Sequence, residues 1–205
     1  MPGLFITLEG GDGSGKSTQS RLLLEWLTGA GHTVVVSREP GGTDLGAELR
    51  EIILHRRGYI APRAEAMLYA ADRAHNIATK VRPALERGEI VVQDRYIDSS
   101  VAYQGAGRVL DGAEVRNLSL WATEGLIPDL TILLDIDVEA GRARLDESRS
   151  QYDRLEAEQR DFHSRVRDSY LELAAAEPER FLVVDATLPI DAIATAIRER
   201  VERSL

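Results

Sequence analysis

The chain has 205 residues, of which 43% are hydrophobic and 29% charged, as in an ordinary globular protein. Its net charge of −9 and the lack of a basic stripe argue against nucleic acid as a partner. The absence of cysteine excludes disulfides and thiol catalysis. Since there is no charged leader and no long apolar segment, we expect no membrane partner, a cytoplasmic location and one domain spanning residues 1–205.

A short apolar run near the N-terminus predicts the first strand, and a glycine-rich octet follows it directly. The octet, GGDGSGKS from Gly10 to Ser17, fits the pattern G-x-x-x-x-G-K-[ST]. A strand before it and a helical pattern after it, over residues 15–27, are the context in which this pattern forms a phosphate-binding loop. Its glycines let successive N–H groups converge on an anion. We predict that Lys16 reaches the outer phosphates of a nucleotide and that the Ser17 hydroxyl holds Mg²⁺.

The β-branched run at residues 33–36 predicts a second strand that is buried on both faces. Strand, helix and strand in this order imply a parallel sheet with a right-handed crossover. The loop that follows carries Arg38 and Glu39 at the carboxyl end of the strand, where ligands of open α/β sheets bind. Arg38 could bind an anion and Glu39 a metal-bound water. A turn whose charges are merely solvated is the alternative.

Two helices are predicted next, at residues 45–54 and after Pro62. One face of the second helix carries mostly small residues, namely Ala64, Met67, Leu68, Ala71, Ala74 and Ala78. Tyr69 and Arg73 are four residues apart on this helix, so both can reach one cleft. There Tyr69 could stack on a ring and Arg73 could bond its edge. A surface pair without a ligand is the alternative.

The third predicted strand, at residues 90–92, leads into Asp94 and Arg95, so charges again lie at a carboxyl end. After Asp98, hydroxyl and amide groups follow within two or three turns: Ser99, Ser100, Tyr103 and Gln104. A helix is predicted at residues 112–124, a fourth strand at 130–134, a fifth at 181–184 and a closing helix at 189–201. Together these elements predict a five-stranded parallel α/β sheet.

Between the last two strands, a short helix is predicted at residues 138–145 and a mobile polar loop at residues 146–152. Loops of this kind often close over a site. Arginines cluster around it, namely Arg142, Arg144, Arg149 and Arg154; a solvated helix face is the alternative for this cluster. A stripe at helical spacing follows and predicts core packing: Tyr152, Leu155, Phe162, Val166, Tyr170 and Leu173.

Four motifs in this order resemble those of thymidylate kinases. They are EGGDGSGKST at 9–18, REPGGT at 38–43, DRYIDSSVAYQG at 94–105 and DRLE at 153–156. The first is shared by many nucleotide enzymes, whereas the second and third are far more specific. The resemblance covers almost the whole chain. It implies a P-loop NTPase-type fold of the nucleoside monophosphate kinase architecture, and transfer of the γ-phosphoryl group of ATP to dTMP.

The resemblance also implies a role for each matching residue. The phosphate loop would bind ATP and Mg²⁺ through Gly10, Gly11, Asp12, Gly13, Ser14, Gly15, Lys16, Ser17 and Thr18. Arg38 and Arg95 would hold the dTMP phosphate, Asp12 its 3′-hydroxyl, Tyr69 the thymine ring and Arg73 its O4. Ser100 and Gln104 would recognise the N3 side, and Tyr103 would crowd the 2′ position. Asp94 and Glu39 would orient water around the metal, and Lys16, Arg38, Asp94 and Arg95 would be catalytic.

The phosphate loop lacks the arginine that some family members carry, since residues 12–14 are Asp-Gly-Ser. Members of that kind usually supply the charge from a lid, here at about residues 142–154. Arg149 is the predicted catalytic lid residue, with Arg154 second. The family also implies a homodimer, and the apolar helices between residues 64 and 124 could form its interface. Another small nucleotide or deoxynucleoside kinase, or a catalytically silent ATP-binding module, are the alternatives.

Overall fold

The computed structural model describes residues 3–56, 58–148 and 152–205. Within them, five parallel strands form one sheet in the order β2-β3-β1-β4-β5. The strands are β1 (Phe5–Glu9), β2 (Val34–Arg38), β3 (Ile90–Asp94), β4 (Leu130–Asp135) and β5 (Phe181–Asp185). The predicted parallel α/β class is confirmed, and each strand ends one or two residues later than the sequence predicts.

The helices follow the predicted order. They are α1 (Lys16–Gly29), α2 (Asp44–Arg50), α3 (Pro62–Asn76), α4 (Arg82–Glu86), α5 (Ile97–Ser100), α6 (Gly112–Ala122), α7 (Val138–Ser148), α8 (Arg160–Ala176) and α9 (Ile190–Glu202). Three helices continue as π-helical turns, Glu51–His55 after α2, Ile77–Val81 after α3 and Val101–Gly107 after α5. Such turns are frequent at functional sites, and the third carries Tyr103 and Gln104.

Helices cover both faces of the sheet. On one face, Ile6 and Leu8 of β1 pack in a buried cluster with residues of α1 and α9, including Leu27. On the other face, Phe5 packs with Ile77 at the end of α3, and α8 packs on β4. Because both faces are covered, the loops at the carboxyl ends of the strands are where a ligand can approach.

Strand β2 is not buried on both faces, so that prediction is wrong. The strand lies at the edge of the sheet, and within the described ranges it pairs only with β3. Its residue Val36 is 40% exposed. A β-branched run indicates a strand, but the position of that strand in the sheet depends on pairings with distant parts of the chain.

Two predicted boundaries near the lid are also wrong. Helix α7 continues to Ser148, so the first three residues of the predicted loop at 146–152 are helical. Residues 149–151, including the candidate Arg149, lie outside the described residues. Helix α8 begins at Arg160 rather than at Tyr152. The apolar stripe nevertheless packs in the core, as predicted, through Leu155, Phe162, Val166 and Tyr170.

Helix α3 directs its polar side inward. The face of small residues lies outward, where Met67 is 56% exposed. The inward face instead buries four polar side chains, Glu65, Asp72, Arg73 and Asn76. Burying charged groups is costly unless they are paired, so this face needs partners on the neighbouring loops.

Candidate active site

The phosphate loop between β1 and α1 closes around the side chain of Lys16. The ammonium of Lys16 donates to the backbone oxygens of Gly10 at 3.0 Å and Gly11 at 2.9 Å. Gly13 and Gly15 have φ of 75° and 93°, which side chains with a Cβ rarely adopt. Among the described residues, no side chain caps the first amides of α1, so these donors can bind a phosphate.

The loop is also in backbone contact with α7. A Cβ on Gly13 would lie 2.2 Å from the backbone oxygen of Gly141. A Cβ on Gly141 would lie 2.7 Å from the backbone oxygen of Asp12. Neither distance is tolerated, so glycine is required on both sides of this contact.

A cleft of about 380 Å³ opens beside the loop, along the carboxyl edge of the sheet. It brings together most of the predicted site residues: Asp12, Gly13, Gly15, Lys16, Ser17, Thr18, Arg38, Glu39, Tyr69, Arg73, Asp94, Arg95, Ser100, Tyr103 and Gln104. Gly10 and Gly11 line a smaller neighbouring cavity, and Ser14 is buried within the loop. The prediction that Tyr69 and Arg73 reach one cleft is confirmed.

Three cationic side chains, Lys16, Arg38 and Arg95, line the cleft near the phosphate loop. Burial, and then the nearby charge of Arg95, lower the pKa of Lys16 to about 8. Arg38 is exposed and forms no ion pair with the described part of the chain. Since each of these cations faces the same space, an anion bound there would relieve their mutual repulsion.

Arg95 follows β3 in a left-handed backbone conformation, with φ of 65°. Its guanidinium pairs with Asp12 at 2.5 Å and lies 4.9 Å from the centroid of the Tyr103 ring. It also donates weakly to the hydroxyls of Ser99 and Tyr170. Burial raises the pKa of Asp12, but the charges of Arg95 and Lys16 outweigh burial, so the pKa of Asp12 is lowered. The carboxylate therefore remains an acceptor at neutral pH.

The opposite end of the cleft is built around Arg73, which is 1% exposed. Its guanidinium donates to Glu39 Oε2 at 2.7 Å and Ser100 Oγ at 3.1 Å. The other oxygen of Glu39 accepts from the amides of Asn76 and Gln93. Burial raises the pKa of Glu39 to about 7, against the opposing charge of Arg73. Through its hydrogen bonds, Glu39 fixes the position of the Arg73 guanidinium.

The residues predicted to hold Mg²⁺ fit that ion in part. Ser17 and Asp94 line the same cleft, and Oδ1 of Asp94 is buried without a hydrogen-bond partner among the described residues. Glu39 is engaged with Arg73. The described ranges contain no group of three or more His, Cys, Asp or Glu arranged for a metal ion. One hydroxyl and one carboxylate suit an ion that keeps several waters and takes its other ligands from phosphates.

Several residues line the cleft that the sequence analysis had not assigned to it: Pro40, Arg50, Leu54, Ser99, Arg144, Leu145, Asp153, Leu155 and Glu156. Arg50 reaches back from α2 to donate to the backbone oxygen of Pro40 at 2.9 Å. Burial, and then the charge of Arg38, lower its pKa. Arg154, the second lid candidate, pairs with Glu65 at 2.6 Å. Local sequence spacing does not indicate that Arg50 reaches the cleft, because its position depends on how the loop at Pro40 folds against α2.

The sequence model of the family described as thymidylate kinase matches residues 8–197. The chain is 72% identical over 200 residues to the thymidylate kinase of Clavibacter sepedonicus, covering 98% of this chain and 95% of that protein. It is 73% identical over 201 residues to that of Leifsonia xyli, with the same coverage. It is 52% identical over 206 residues to that of Bifidobacterium longum, covering 98% of each. No helix among the described residues is long and apolar enough to span a membrane.

Proposed function

The chain belongs to the thymidylate kinase family, and we propose that dTMP and ATP meet end to end in its cleft. The enzyme transfers the γ-phosphoryl group of ATP to dTMP, giving dTDP and ADP. One observation carries this placement. The cations Lys16, Arg38 and Arg95 line the same cleft as Tyr69 and Arg73, which suit the face and the edge of a pyrimidine ring.

The acceptor dTMP extends from the buried end of the cleft toward the phosphate loop. Tyr69 packs against the thymine, Arg73 donates to O4, and Ser100 and Gln104 face the N3 side. Asp12 accepts the 3′-hydroxyl, and Tyr103 fills the space that a 2′-hydroxyl would need. Arg38 and Arg95 hold the phosphate, which must carry its negative charge close to the donor.

The donor ATP binds with its phosphates on the loop from Gly10 to Thr18 and on Lys16. Ser17 and Asp94 would hold Mg²⁺, with Glu39 orienting water nearby. When bound, the ion would neutralise charge on the donor phosphates. The lid at about residues 142–154 supplies a further arginine, and Arg149 remains the predicted residue for that role.

Positioning and charge neutralisation are what the residues must provide. The attacking oxygen belongs to the dTMP phosphate, whose second pKa is roughly 6, so it is already ionised at neutral pH and needs no general base. Two polyanions must be held in line while Lys16, Arg38 and Arg95 offset their repulsion. Exclusion of water by the lid prevents loss of the phosphoryl group to hydrolysis.

A coupled assay of ADP release tests the proposal directly. The purified protein is incubated with ATP, Mg²⁺ and each common nucleoside monophosphate in turn. We expect the highest kcat/KM with dTMP. A preference for another monophosphate would assign the chain to a different nucleotide, and ATP binding without turnover of any acceptor would mark a silent module.

We expect Arg95→Met to raise the KM for dTMP by about 10- to 100-fold, because charge-assisted hydrogen bonds to phosphate contribute about 1.5–3 kcal/mol. The methionine keeps much of the stem that packs on Tyr103. Steady-state kinetics with dTMP varied at saturating ATP measure the effect. Arg21→Met is the control, since Arg21 is an exposed arginine that pairs with Glu25 on α1 outside the cleft. An unchanged KM for dTMP in Arg95→Met would show that Arg95 does not bind the dTMP phosphate.

We expect Tyr103→Leu to raise kcat/KM for UMP relative to dUMP by about tenfold, since it opens space at the 2′ position. Tyr103 is buried and lines the cleft. Phe162→Leu is the matched control, because Phe162 packs edge-on against Tyr103 with ring centroids 6.0 Å apart but does not line the cleft. An unchanged ratio in Tyr103→Leu would contradict its role as a sugar filter.

We also propose that the enzyme is a homodimer. The proposal is supported by apolar side chains exposed on α3 and α6, where Met67 is 56% and Trp121 80% exposed, since such groups often mark an interface. Sedimentation velocity of the protein and of Trp121→Glu would measure the mass and its dependence on this surface. A cytoplasmic location stays a prediction.

A further inference from the structure

Glu65 on α3 is a fully buried carboxylate to which the reaction described above assigns no role. Its Oε1 accepts from Gln104 Nε2 at 3.0 Å and from Arg108 Nε at 3.2 Å. Its Oε2 accepts from Arg108 at 3.2 Å and pairs with Arg154 at 2.6 Å. The carboxylate thus links the DRLE segment, which carries Arg154, to the end of the cleft where the nucleotide base is proposed to bind.

These contacts fix the orientation of the Gln104 amide. An amide has two donors on Nε2 and an acceptor on Oε1, whereas a carboxylate held by two guanidinium groups offers only acceptors. A flipped amide would place its carbonyl oxygen against Glu65 and lose the bond. Gln104 lines the cleft, and its Oε1 takes part in no hydrogen bond with the described part of the chain. The carbonyl oxygen is therefore free to accept from a ligand, beside the second hydrogen of Nε2.

We propose that Glu65 is a specificity-determining positioning residue, which selects against cytosine by presenting the Gln104 carbonyl to N3 of the base. This rests on the proposed function, in which Gln104 faces the N3 side. Thymine carries a hydrogen on N3 and can donate to that carbonyl, whereas N3 of cytosine is an acceptor and is repelled. Uracil has the same N3–H group as thymine, so Glu65 makes no distinction between these two.

The variant Glu65→Gln tests the proposal. Its carbonyl oxygen is expected to take the Oε2 position, because that position accepts from two guanidinium groups, those of Arg108 and Arg154, whereas Oε1 accepts from one. Its amide nitrogen then faces Gln104. Gln104 then turns its own carbonyl toward residue 65 and its amide nitrogen toward the base. We expect the ratio of kcat/KM for dTMP over dCMP to fall by about tenfold, the worth of one buried hydrogen bond, while the ratio for dTMP over dUMP stays unchanged. If dCMP turns over too slowly, its inhibition constant against dTMP replaces kcat/KM.

Glu158→Gln is the matched control. Glu158 is the second carboxylate that pairs with Arg108, at 2.5 Å. Loss of its charge leaves the hydrogen bond between Glu65 and Gln104 in place. In this control, the ratios of kcat/KM for dTMP over dCMP and for dTMP over dUMP should both match those of the parent. If Glu65→Gln lowers kcat/KM for all three monophosphates equally, or leaves the dTMP over dCMP ratio unchanged, Glu65 is only structural and the proposal fails.

Glu65→Asp carries the test if Glu65→Gln does not fold. It keeps the charge that the two arginines need but withdraws the carboxylate from Gln104 by one methylene, so the dTMP over dCMP ratio should fall there too. An unchanged ratio would overturn the proposal. The parent is assayed first with dTMP and ATP, because inactivity at that stage would refute the proposed function, whereas an active parent with unaltered variants would refute only this inference.

Discussion

Replacing Lys16 by alanine is expected to lower kcat by at least about 10³-fold, the cost of removing a positioned charge from the transition state. The ammonium is held inside the phosphate loop by the backbone oxygens of Gly10 and Gly11. In the proposed placement of ATP, it lies next to the phosphoryl group that is transferred. The side chain packs on the loop rather than in an apolar cluster, so the melting temperature should change little. Single-turnover kinetics and thermal unfolding measure the two quantities.

Lys80→Ala is the control, because Lys80 donates to the backbone oxygen of Gly42 at 3.0 Å and does not line the cleft.

The pH dependence of the parent gives a second test. Because the pKa of Lys16 is about 8 in the free enzyme, its charge is present below pH 8 and is lost as the pH rises. We therefore expect kcat/KM for ATP to decline above about pH 8, since this ratio reports the free enzyme. Near-normal turnover of Lys16→Ala would show that the phosphate loop does not act in the reaction through Lys16.

Arg149→Ala is expected to lower kcat by about 10³-fold, as does loss of a transition-state arginine in other phosphoryl-transfer enzymes, with little change in the affinity for dTMP. Residues 12–14 of the phosphate loop provide no arginine, so a cation must come from elsewhere. Quench-flow measurement of dTDP formation and equilibrium binding of dTMP separate the two effects. If affinity falls while kcat holds, Arg149 binds substrate instead.

Arg144→Ala is the matched comparison, because Arg144 lies on α7 and lines the cleft with Ser17 and Thr18. It carries the same charge and, like Arg149, falls within the predicted lid at about residues 142–154. A large loss of kcat in Arg144→Ala together with normal kcat in Arg149→Ala would transfer the role to Arg144. Losses in both variants would indicate that the donor phosphates need two lid cations.

The phosphate loop could be predicted in detail because its signal is local. The spacing from Gly10 to Ser17 and the helix after it lie within one stretch of chain, and the structure keeps that stretch together. The charged residues at the carboxyl ends of β2 and β3 could be placed in one cleft for a similar reason, since the carboxyl ends of parallel strands meet at one edge. Arg38 and Arg95 line the cleft as expected.

Features that depend on distant partners could not be predicted in the same way. The edge position of β2 follows from the order of all five strands, so the run around Val36 could not indicate its exposure. No local pattern indicates the burial of Glu65 on α3, because its partners Arg108 and Arg154 lie 43 and 89 positions further along the chain. Arg50 reaches the cleft only through the fold of the loop at Pro40.

The contact between Gly13 and Gly141 ties the shape of the phosphate loop to a helix far along the chain. With no Cβ on either residue, the two backbones lie directly against each other, so the first turn of α7 cannot move closer to the loop. A side chain at either position would force the two backbones apart, and a substitution on α7 would thereby disturb the loop without touching any of its residues in sequence.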